Sequence, residues 1–353
     1  MHYLSLCSGI EAATVAWTPL RWKAVAFSEI NKFSSAVLAY RYPHVPNLGD
    51  MLQIKGRDFY GLTDLMVAGT PCQAFSSCGQ RKGMADPRGR LTLSFLDLLD
   101  QVKPRWFIWE NVPHVLHNDQ GRTFGTILGK VAQLRYGFAY RCLDSQYFHL
   151  AQRRERLFLV GHRGDWRPAA AVLFERHSLS GDSPPCRQPK TEIAGTFTAG
   201  AYSGGAGGRP EGAAASHFLA YGGGNSKEIG ISAALTSRGQ RIDFDTDTFI
   251  ANTLRGEGFD GSEDGTGRAN LLPMSIDEGG ECRAAARRLT PREAERLMGF
   301  EDDYTLIPWR GRPADKCPDG PRYMAIGNSM PVPVMYWLGR RVELVDKLLR
   351  KSR

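Results

Sequence analysis

A thiol and a carboxyl group stand in two short segments whose chemistry would be complementary. Cys72 lies in residues 68–76 (AGTPCQAFS), and Glu110 lies in residues 109–112 (WENV). Each segment follows an apolar run typical of a buried strand, so we expect the two side chains on loops at the ends of neighbouring strands. At that edge of an open α/β sheet ligands bind. A thiolate nucleophile beside a carboxylic acid can activate an electron-poor ring such as a pyrimidine.

Two arginines add to this set. Arg154 and Arg156 alternate within residues 152–156 (QRRER), so on a strand their side chains share one face. A guanidinium group can hold a carbonyl oxygen and keep a nearby thiolate charged. The sequence therefore offers a nucleophile, an acid and two fixed positive charges.

The elements that must position these groups alternate along the first half of the chain. Strands are predicted at residues 3–7, 24–27, 65–68, 106–109 and 156–160. Helices are predicted between them at residues 31–40, 91–99 and 123–134. This alternation predicts an α/β fold, with βαβ units and a mostly parallel sheet.

Composition changes after Gly164, and three regions follow from it. Residues 1–164 form the predicted catalytic and cofactor-binding domain, and Gly-rich residues 165–286 form a smaller, loop-rich domain with short strands near 195–199, 231–236 and 248–254. A disordered linker is the alternative for this middle region. Residues 287–353 resume helical order, with a capping box at 290–293 and a helix at 332–349. We expect this last segment to pack back on the first domain.

Composition limits the protein's class and partners. The chain has 353 residues, 42% of them hydrophobic, and a formal net charge of +8. That length supports a full α/β core, and the charge suits a polyanion or simply a solvated surface. Seven cysteines without zinc-site spacing predict a reducing compartment and no metal. Cys186, Cys282 and Cys317 are predicted to be surface thiols.

The N-terminus lacks a secretory pattern, and no apolar stretch reaches the length of a membrane span. We therefore predict no membrane association. The expected location is the cytoplasm of a bacterial or phage-infected cell.

Taken in order, the motifs resemble those of the cytosine-C5 DNA methyltransferases of bacteria and phages. The resemblance covers nearly all of the chain outside 165–285. It rests on residues 6–11 (LCSGIE), 28–31 (SEIN), 49–50 (GD), 71–73 (PCQ), 110–112 (ENV), 152–156 (QRRER), 288–293 (RLTPRE) and 327–329 (GNS).

The resemblance implies a Rossmann-like methyltransferase sheet, a target-recognition domain and a covalent mechanism. Cys72 would add to carbon 6 of cytosine, and carbon 5 would then accept a methyl group. Glu110 would act as the acid at N3, with a pKa raised by burial. Arg156 would hold the base carbonyl, while Arg154 would support the loop. The product would be 5-methylcytosine.

The resemblance also implies S-adenosylmethionine as cofactor and S-adenosylhomocysteine as its product. Glu29 would accept the ribose hydroxyls, Asp50 would accept from the adenine amino group, and Ile30 and Leu91 would form apolar walls. The full predicted cofactor site comprises Cys7, Ser8, Gly9, Ile10, Glu29, Ile30, Asp50, Met51, Pro71, Leu91, Asn328 and Ser329. The chain departs from the family pattern at Cys7 and Glu11, where an aromatic residue and a second glycine are usual. We therefore expect an aromatic contact to the cofactor to be missing.

Double-stranded DNA is the implied partner, bound by a monomer with the target base flipped out of the helix. The predicted substrate contacts are Gln73, Ser76, Asn111, Val112, Arg238, Arg241 and Arg255, with Arg268 as a further candidate. Such an enzyme would serve restriction-modification, phage self-protection or DNA marking.

Two alternatives remain open at this point. One is the same chemistry on RNA, as in the tRNA members of this family, whose recognition region is short. The other is a DNA-binding homologue without turnover, against which the intact set of Cys72, Glu110 and Arg156 argues.

Overall fold

The computed structural model describes residues 1–70, 89–174 and 289–351, together with the backbone of five short strands between them. The first part of the chain alternates strands and helices as predicted. Its strands are β1 (His2–Leu6), β2 (Lys23–Ser28), β3 (Leu65–Gly69), β4 (Trp106–Asn111), β5 (Tyr136–Asp144) and β6 (Glu155–Arg163). Its helices are α1 (Ala12–Trp17), α2 (Lys32–Arg41), α3 (Gly89–Val102), α4 (Arg122–Gln133) and α5 (Trp166–Leu173).

The six strands form one sheet in the order β2-β1-β3-β4-β6-β5. β2, β1, β3 and β4 are parallel, whereas β6 runs antiparallel to both β4 and β5. The α/β class and the mostly parallel sheet are confirmed. Strand β5 was not predicted, because this edge strand alternates buried and half-exposed positions and carries few continuous apolar residues.

Helices cover both faces of the sheet. On one face, α3 and α4 pack through Phe95, Leu99 and Ile127 against alternate residues of β3 and β4. On the other face lie α1, α5 and the C-terminal segment. Because both faces are buried, the central strands consist of continuous apolar runs rather than an alternating pattern.

The C-terminal segment contains α6 (Pro291–Met298), α7 (Asp319–Gly327) and α8 (Val332–Lys351). The predicted capping box at Thr290 and Glu293 is present. The helix α6 is followed by Gly299 in the left-handed conformation. α8 packs on α1, where Trp17 Nε1 donates to the Met335 carbonyl at 2.8 Å.

One thiol prediction is wrong. Cys317 was expected at the surface, but it is 8% exposed and joins the core of the C-terminal side. Its polar and proline-rich neighbours in sequence suggested a surface loop, whereas tertiary packing turns this side chain inward.

The described strands of the middle region are β7 (Phe218–Tyr221), β8 (Phe249–Asn252), β9 (Ser275–Ile276), β10 (Cys282–Arg283) and β11 (Ala286–Arg288). β7, β8 and β11 form an antiparallel sheet, and β9 pairs with β10. β8 lies within the strand predicted at 248–254. The strands predicted at 195–199 and 231–236 fall outside the described residues, and the domain boundaries remain predictions.

Within the described residues, no helix combines the length and apolar character that crossing a membrane requires.

Candidate active site

Glu110 lies near the carboxyl end of β4, at the centre of the sheet. It pairs in register with Gly69 of β3 on one side and with Phe158 of β6 on the other. Glu110 is 9% exposed, and its Oε1 lies 3.3 Å from Arg156 Nε. The sequence-predicted acid is therefore a buried carboxyl group in contact with Arg156.

The neighbouring strand leads directly toward the nucleophile. A Cβ placed at Gly69 would lie 3.4 Å from Glu110 Oε2 and 2.9 Å from Met330 Cε. A larger residue at position 69 would therefore crowd the carboxyl group. Cys72 follows Gly69 by three residues, and three residues of chain span at most about 11 Å. Covalent connectivity therefore limits how far position 72 can lie from Gly69, and Cys72 itself lies outside the described residues.

Burial raises the pKa of Glu110 above its ordinary value, while the positive charges of Arg156 and Arg154 act in the opposite direction. Desolvation is the larger effect, because the carboxyl group has little water around it. A carboxyl group with a raised pKa stays protonated closer to neutral pH, as an acid catalyst requires.

The two arginines of residues 152–156 have different partners. Arg156 is half-buried and faces Glu110, whereas Arg154 is buried and donates from Nη2 to the carbonyls of Gly327 and Ser329 at 3.1 and 2.8 Å. Arg154 therefore ties the segment just before β6 to the turn after α7. That turn carries the predicted cofactor residues Asn328, which is exposed, and Ser329, which is buried.

A second cluster of polar groups forms at the ends of β1 and β2. Gly9 adopts a φ of +58°, and a Cβ there would meet no atom within 4 Å, so the backbone borders open space. The Gly9 N–H donates to Glu29 Oε2 at 2.8 Å. The structure therefore brings the first loop and the predicted ribose acceptor together.

Asn47 organises this cluster and was missed by the sequence reasoning. Its Oδ1 accepts from the backbone N–H groups of Glu29 and Gly49, and its Nδ2 donates to the Glu29 carbonyl. Asn47 thus fixes Glu29 and the residue preceding Asp50 with one side chain. The residues 47–49 (NLG) are typical of a turn, and this was the signal available in the sequence.

Cys7 lies between these acidic groups. Burial raises the pKa of its thiol to about 12, and the charges of Glu29 and Asp50 act in the same direction. Its sulfur lies 3.5 Å from that of Met51. The Cys7 side chain is therefore a neutral, apolar group at the predicted cofactor site. Its raised pKa argues against a role as a nucleophile.

The remaining predicted cofactor residues differ in exposure. Ile30 is 71% exposed and Leu91 is half-buried, so both have surface to offer a ligand. Ser8 is buried and bonds to β2, and its backbone continues into Gly9. Ile10 is fully buried in the core, so only its backbone faces the loop.

This arrangement fits S-adenosylmethionine by its donor and acceptor chemistry. Two carboxylates can accept from hydroxyl and amino groups, a glycine leaves room beside the backbone, and an exposed isoleucine can cover an apolar ring.

Glu11 explains one departure from the family pattern. Its carboxylate caps α1, accepting from the Thr14 N–H at 3.0 Å, and it also bonds to the hydroxyls of Ser5 and Thr14. Glu11 is buried with a φ of +64°. Its side chain is therefore part of the helix start and does not reach the open space beside Gly9.

Two of the predicted substrate contacts are described. The Asn111 side chain is buried and donates to Thr70, while Val112 is half-buried. Their contact with substrate stays a prediction. Outside the described residues lie Pro71, Cys72, Gln73, Ser76, Arg238, Arg241, Arg255 and Arg268.

The C-5 cytosine-specific DNA methylase family matches residues 1–195 and 228–343 of this chain. The match includes every segment that carried the sequence resemblance.

Individual relatives extend this result. A protein of Escherichia phage P1 named DNA N-6-adenine-methyltransferase is 33% identical over 96% of this chain, which spans only 61% of that protein's length. The type II methyltransferase M.DsaV of Dactylococcopsis salina is 26% identical over 97% of this chain and 86% of its own.

Solved structures match the fold. A DNMT2 mutant of Spodoptera frugiperda superposes with a TM-score of 0.60 at 16% identity, covering 97% of this chain and 99% of its own. The Dnmt2 methyltransferase of S. pombe gives 0.58 at 16% identity, covering 98% and 99%. These similarities show a Rossmann-like methyltransferase fold.

Proposed function

This chain belongs to the C-5 cytosine-specific DNA methylase family, and we propose that it is a DNA (cytosine-5-)-methyltransferase acting on duplex DNA. The observation that carries the proposal is the buried carboxyl group of Glu110. It lies beside Arg156 and against Gly69, three residues before the only thiol in the PCQ segment.

The reaction begins with addition of the Cys72 thiolate to carbon 6 of a flipped-out cytosine. The new Sγ–C6 bond pushes electron density toward carbon 5, and Glu110 holds a proton at N3 to accept the charge that develops there. Arg156 would hold the base carbonyl. After carbon 5 is methylated, the proton on carbon 5 passes to water, and the electron pair of that C–H bond restores the C5–C6 double bond. The electrons of the Sγ–C6 bond return to sulfur, which releases 5-methylcytosine and the free thiolate.

S-adenosylmethionine, when bound, supplies the methyl group as an electrophile. Glu29 would hold its ribose and Asp50 its adenine amino group. Ile30 and Leu91 would cover the adenine ring. Ser8 and Gly9, in the loop after β1, would lie alongside the cofactor.

Double-stranded DNA is the proposed partner, with the middle region 165–286 as its recognition domain. Base flipping is required because a buried acid cannot reach a base stacked inside a duplex. The relatives include bacterial type II and phage proteins, which favours a role in restriction-modification or phage self-protection in a bacterial cytoplasm. We propose that the chain acts as a monomer without a metal.

Adenine is a second candidate base only because of the name of the phage P1 relative. This chain spans 61% of that protein, so the named activity need not belong to the matched part. Methylation at N6 of adenine uses an amino group that is already nucleophilic, and it would leave the thiol and the N3 acid without a role.

The first experiment incubates the purified chain with labelled S-adenosylmethionine and either duplex DNA or tRNA, and identifies the modified base by mass spectrometry. We expect 5-methylcytosine in DNA. The variant Cys72→Ser should lose all turnover, because its hydroxyl is a far weaker nucleophile than a thiolate, while cofactor affinity measured by calorimetry should stay near wild type.

Three results would contradict the proposal. Modified adenine would support the second candidate base, modified tRNA would support the RNA alternative, and cofactor binding without any product would indicate a silent homologue. Retained turnover in Cys72→Ser would remove the thiol from the mechanism.

A further inference from the structure

Four buried polar side chains meet where β3 ends and α3 begins. Thr70 follows the last residue of β3, Thr92 lies in the first turn of α3, and Trp109 and Asn111 belong to β4. All four are at most 3% exposed. Thr70 Oγ1 accepts from Trp109 Nε1 at 2.9 Å and from Asn111 Nδ2 at 3.2 Å, and lies 3.2 Å from Thr92 Oγ1.

These contacts use the whole hydrogen-bonding capacity of one hydroxyl group. A threonine hydroxyl has two acceptor lone pairs and one donor hydrogen. The indole N–H and the amide occupy the two lone pairs, so the hydroxyl hydrogen of Thr70 must point to Thr92. The Thr70 carbonyl also accepts from Asn111 Nδ2 at 3.3 Å. No other side chain of similar size could satisfy all three partners except serine.

The position of this node relates it to both reacting groups. Side chains alternate along a strand, so Trp109 and Asn111 point to one face of the sheet and Glu110, which lies between them, points to the other. Thr70 therefore holds the backbone on both sides of the acid. Thr70 also precedes Cys72 by two residues in the sequence. Its hydrogen-bond partner Thr92 follows the segment that contains Cys72, so the two threonines flank that segment.

We infer that Thr70 is a positioning residue that sets the nucleophile of residue 72 relative to the acid of residue 110. Through one hydroxyl group it joins the start of the Cys72 segment, the strand that carries Glu110 and the first turn of α3. The inference rests on the proposed function, because it concerns the distance between the two groups of that mechanism. Thr70 touches neither substrate nor cofactor in this role.

The test compares Thr70→Val with Thr70→Ser. Valine keeps the shape of threonine but leaves the buried indole N–H of Trp109 without its acceptor and the Asn111 amide with only the backbone carbonyl of residue 70, whereas serine keeps the hydroxyl group. The step to measure is formation of the covalent adduct between Cys72 and duplex DNA containing 5-fluorocytosine, in a single turnover. Fluorine cannot leave carbon 5 as a proton does, so the adduct accumulates.

We expect Thr70→Val to slow adduct formation by about 10²-fold, the effect of a misplacement of about 1 Å, and Thr70→Ser to stay close to wild type. The loss should fall on kcat rather than on KM for DNA, and cofactor affinity by calorimetry should be unchanged. A merely structural role would instead lower the melting temperature and all of these readouts together.

Trp109→Phe keeps the inference testable if Thr70→Val does not fold. This variant removes only the Nε1–H donor, and we expect a smaller slowing of the same step. Because both changes act through one hydroxyl group, the double variant should be no slower than Thr70→Val alone.

The inference is overturned if Thr70→Val forms the adduct as fast as Thr70→Ser, or if Trp109→Phe matches wild type. In both cases the proposed function stands, since wild type still methylates DNA. If wild type binds cofactor but forms neither adduct nor 5-methylcytosine, the proposed function fails and the inference fails with it.

Discussion

A buried carboxyl group lies beside arginine at each end of β4, and the two carboxyl groups differ in the number of their partners. Near the start of the strand, Asp346 of α8 accepts from Trp106 Nε1 at 3.0 Å and pairs with Arg105 at 2.7 Å and Arg350 at 2.9 Å. Near the other end, Glu110 has Arg156 at 3.3 Å as its ion-pair partner.

The difference separates a structural carboxylate from a reactive one. Asp346 is surrounded by donors on both oxygens, so its charge is compensated and it fastens α8 to the sheet. Glu110 is buried with one ion-pair partner among the described residues, and burial raises its pKa. Groups with a perturbed pKa are concentrated at functional sites.

The largest expected effect breaks the reactive end. Glu110→Gln removes the acid proton and keeps the shape, so we expect kcat to fall by about 10³-fold, within the range of general acid catalysis. Methyl transfer to duplex DNA measures it, with thermal unfolding run in parallel. The matched control is Glu301→Gln at an exposed carboxyl group, which should leave turnover unchanged. Near wild-type turnover in Glu110→Gln would remove this residue from the reaction.

The next effect breaks the structural end. Asp346→Asn weakens charge-assisted hydrogen bonds from three partners, and we expect the free energy of unfolding to fall by about 1.5–3 kcal/mol. Denaturant titration measures this loss, while kcat of the folded protein should stay near wild type. Unchanged stability would show that Asp346 does not fasten α8 to the sheet. Lost turnover in a protein as stable as wild type would show that Asp346 takes part in the reaction.

The smallest effect is a pH dependence of stability contributed by Glu110. Because the pKa of Glu110 is raised in the folded state from 4.5, the folded protein binds this proton more tightly than the unfolded chain. Stability attributable to Glu110 should therefore be greatest below pH 4.5 and should decrease as pH rises through the folded pKa, by at most about 1.4 kcal/mol per pH unit.

Unfolding free energies of wild type and Glu110→Gln, compared across pH, isolate this contribution, because the variant lacks the titrating group. The difference should move against wild type with rising pH. A difference that moves in favour of wild type would mean that the folded state lowers this pKa instead.

Much of the fold could be predicted because its signals are local. Apolar runs at 65–68 and 106–109 identified central strands to within two residues, and the residues of a capping box marked the start of α6. Edge strand β5 was not predicted, and the burial of Cys317 was predicted wrongly, because both depend on which face another element covers. The family resemblance implied that Glu110 and Arg156 act on the same base, and the structure brings the two side chains to 3.3 Å.

Other parts of the site had no local signal. Nothing in the residue types around Thr70, Thr92 and Trp109 indicates that they meet, because they are separated by up to 39 positions and converge only when β3, α3 and β4 pack. The same is true of Met330 against Gly69. Asn47 stands in a turn that its sequence neighbours do indicate, but its four hydrogen bonds reach Glu29, Ser35 and Gly49, and only the folded chain brings the first two of these to it.

The sequence by itself determined which chemical groups this protein possesses and the order of strands and helices that carries them, because residue type and periodicity are properties of the chain. Only the tertiary structure decided which carboxyl group is compensated and which is left reactive. That distinction depends on how much water and how many donors surround each oxygen, and these are set by elements far apart in the chain.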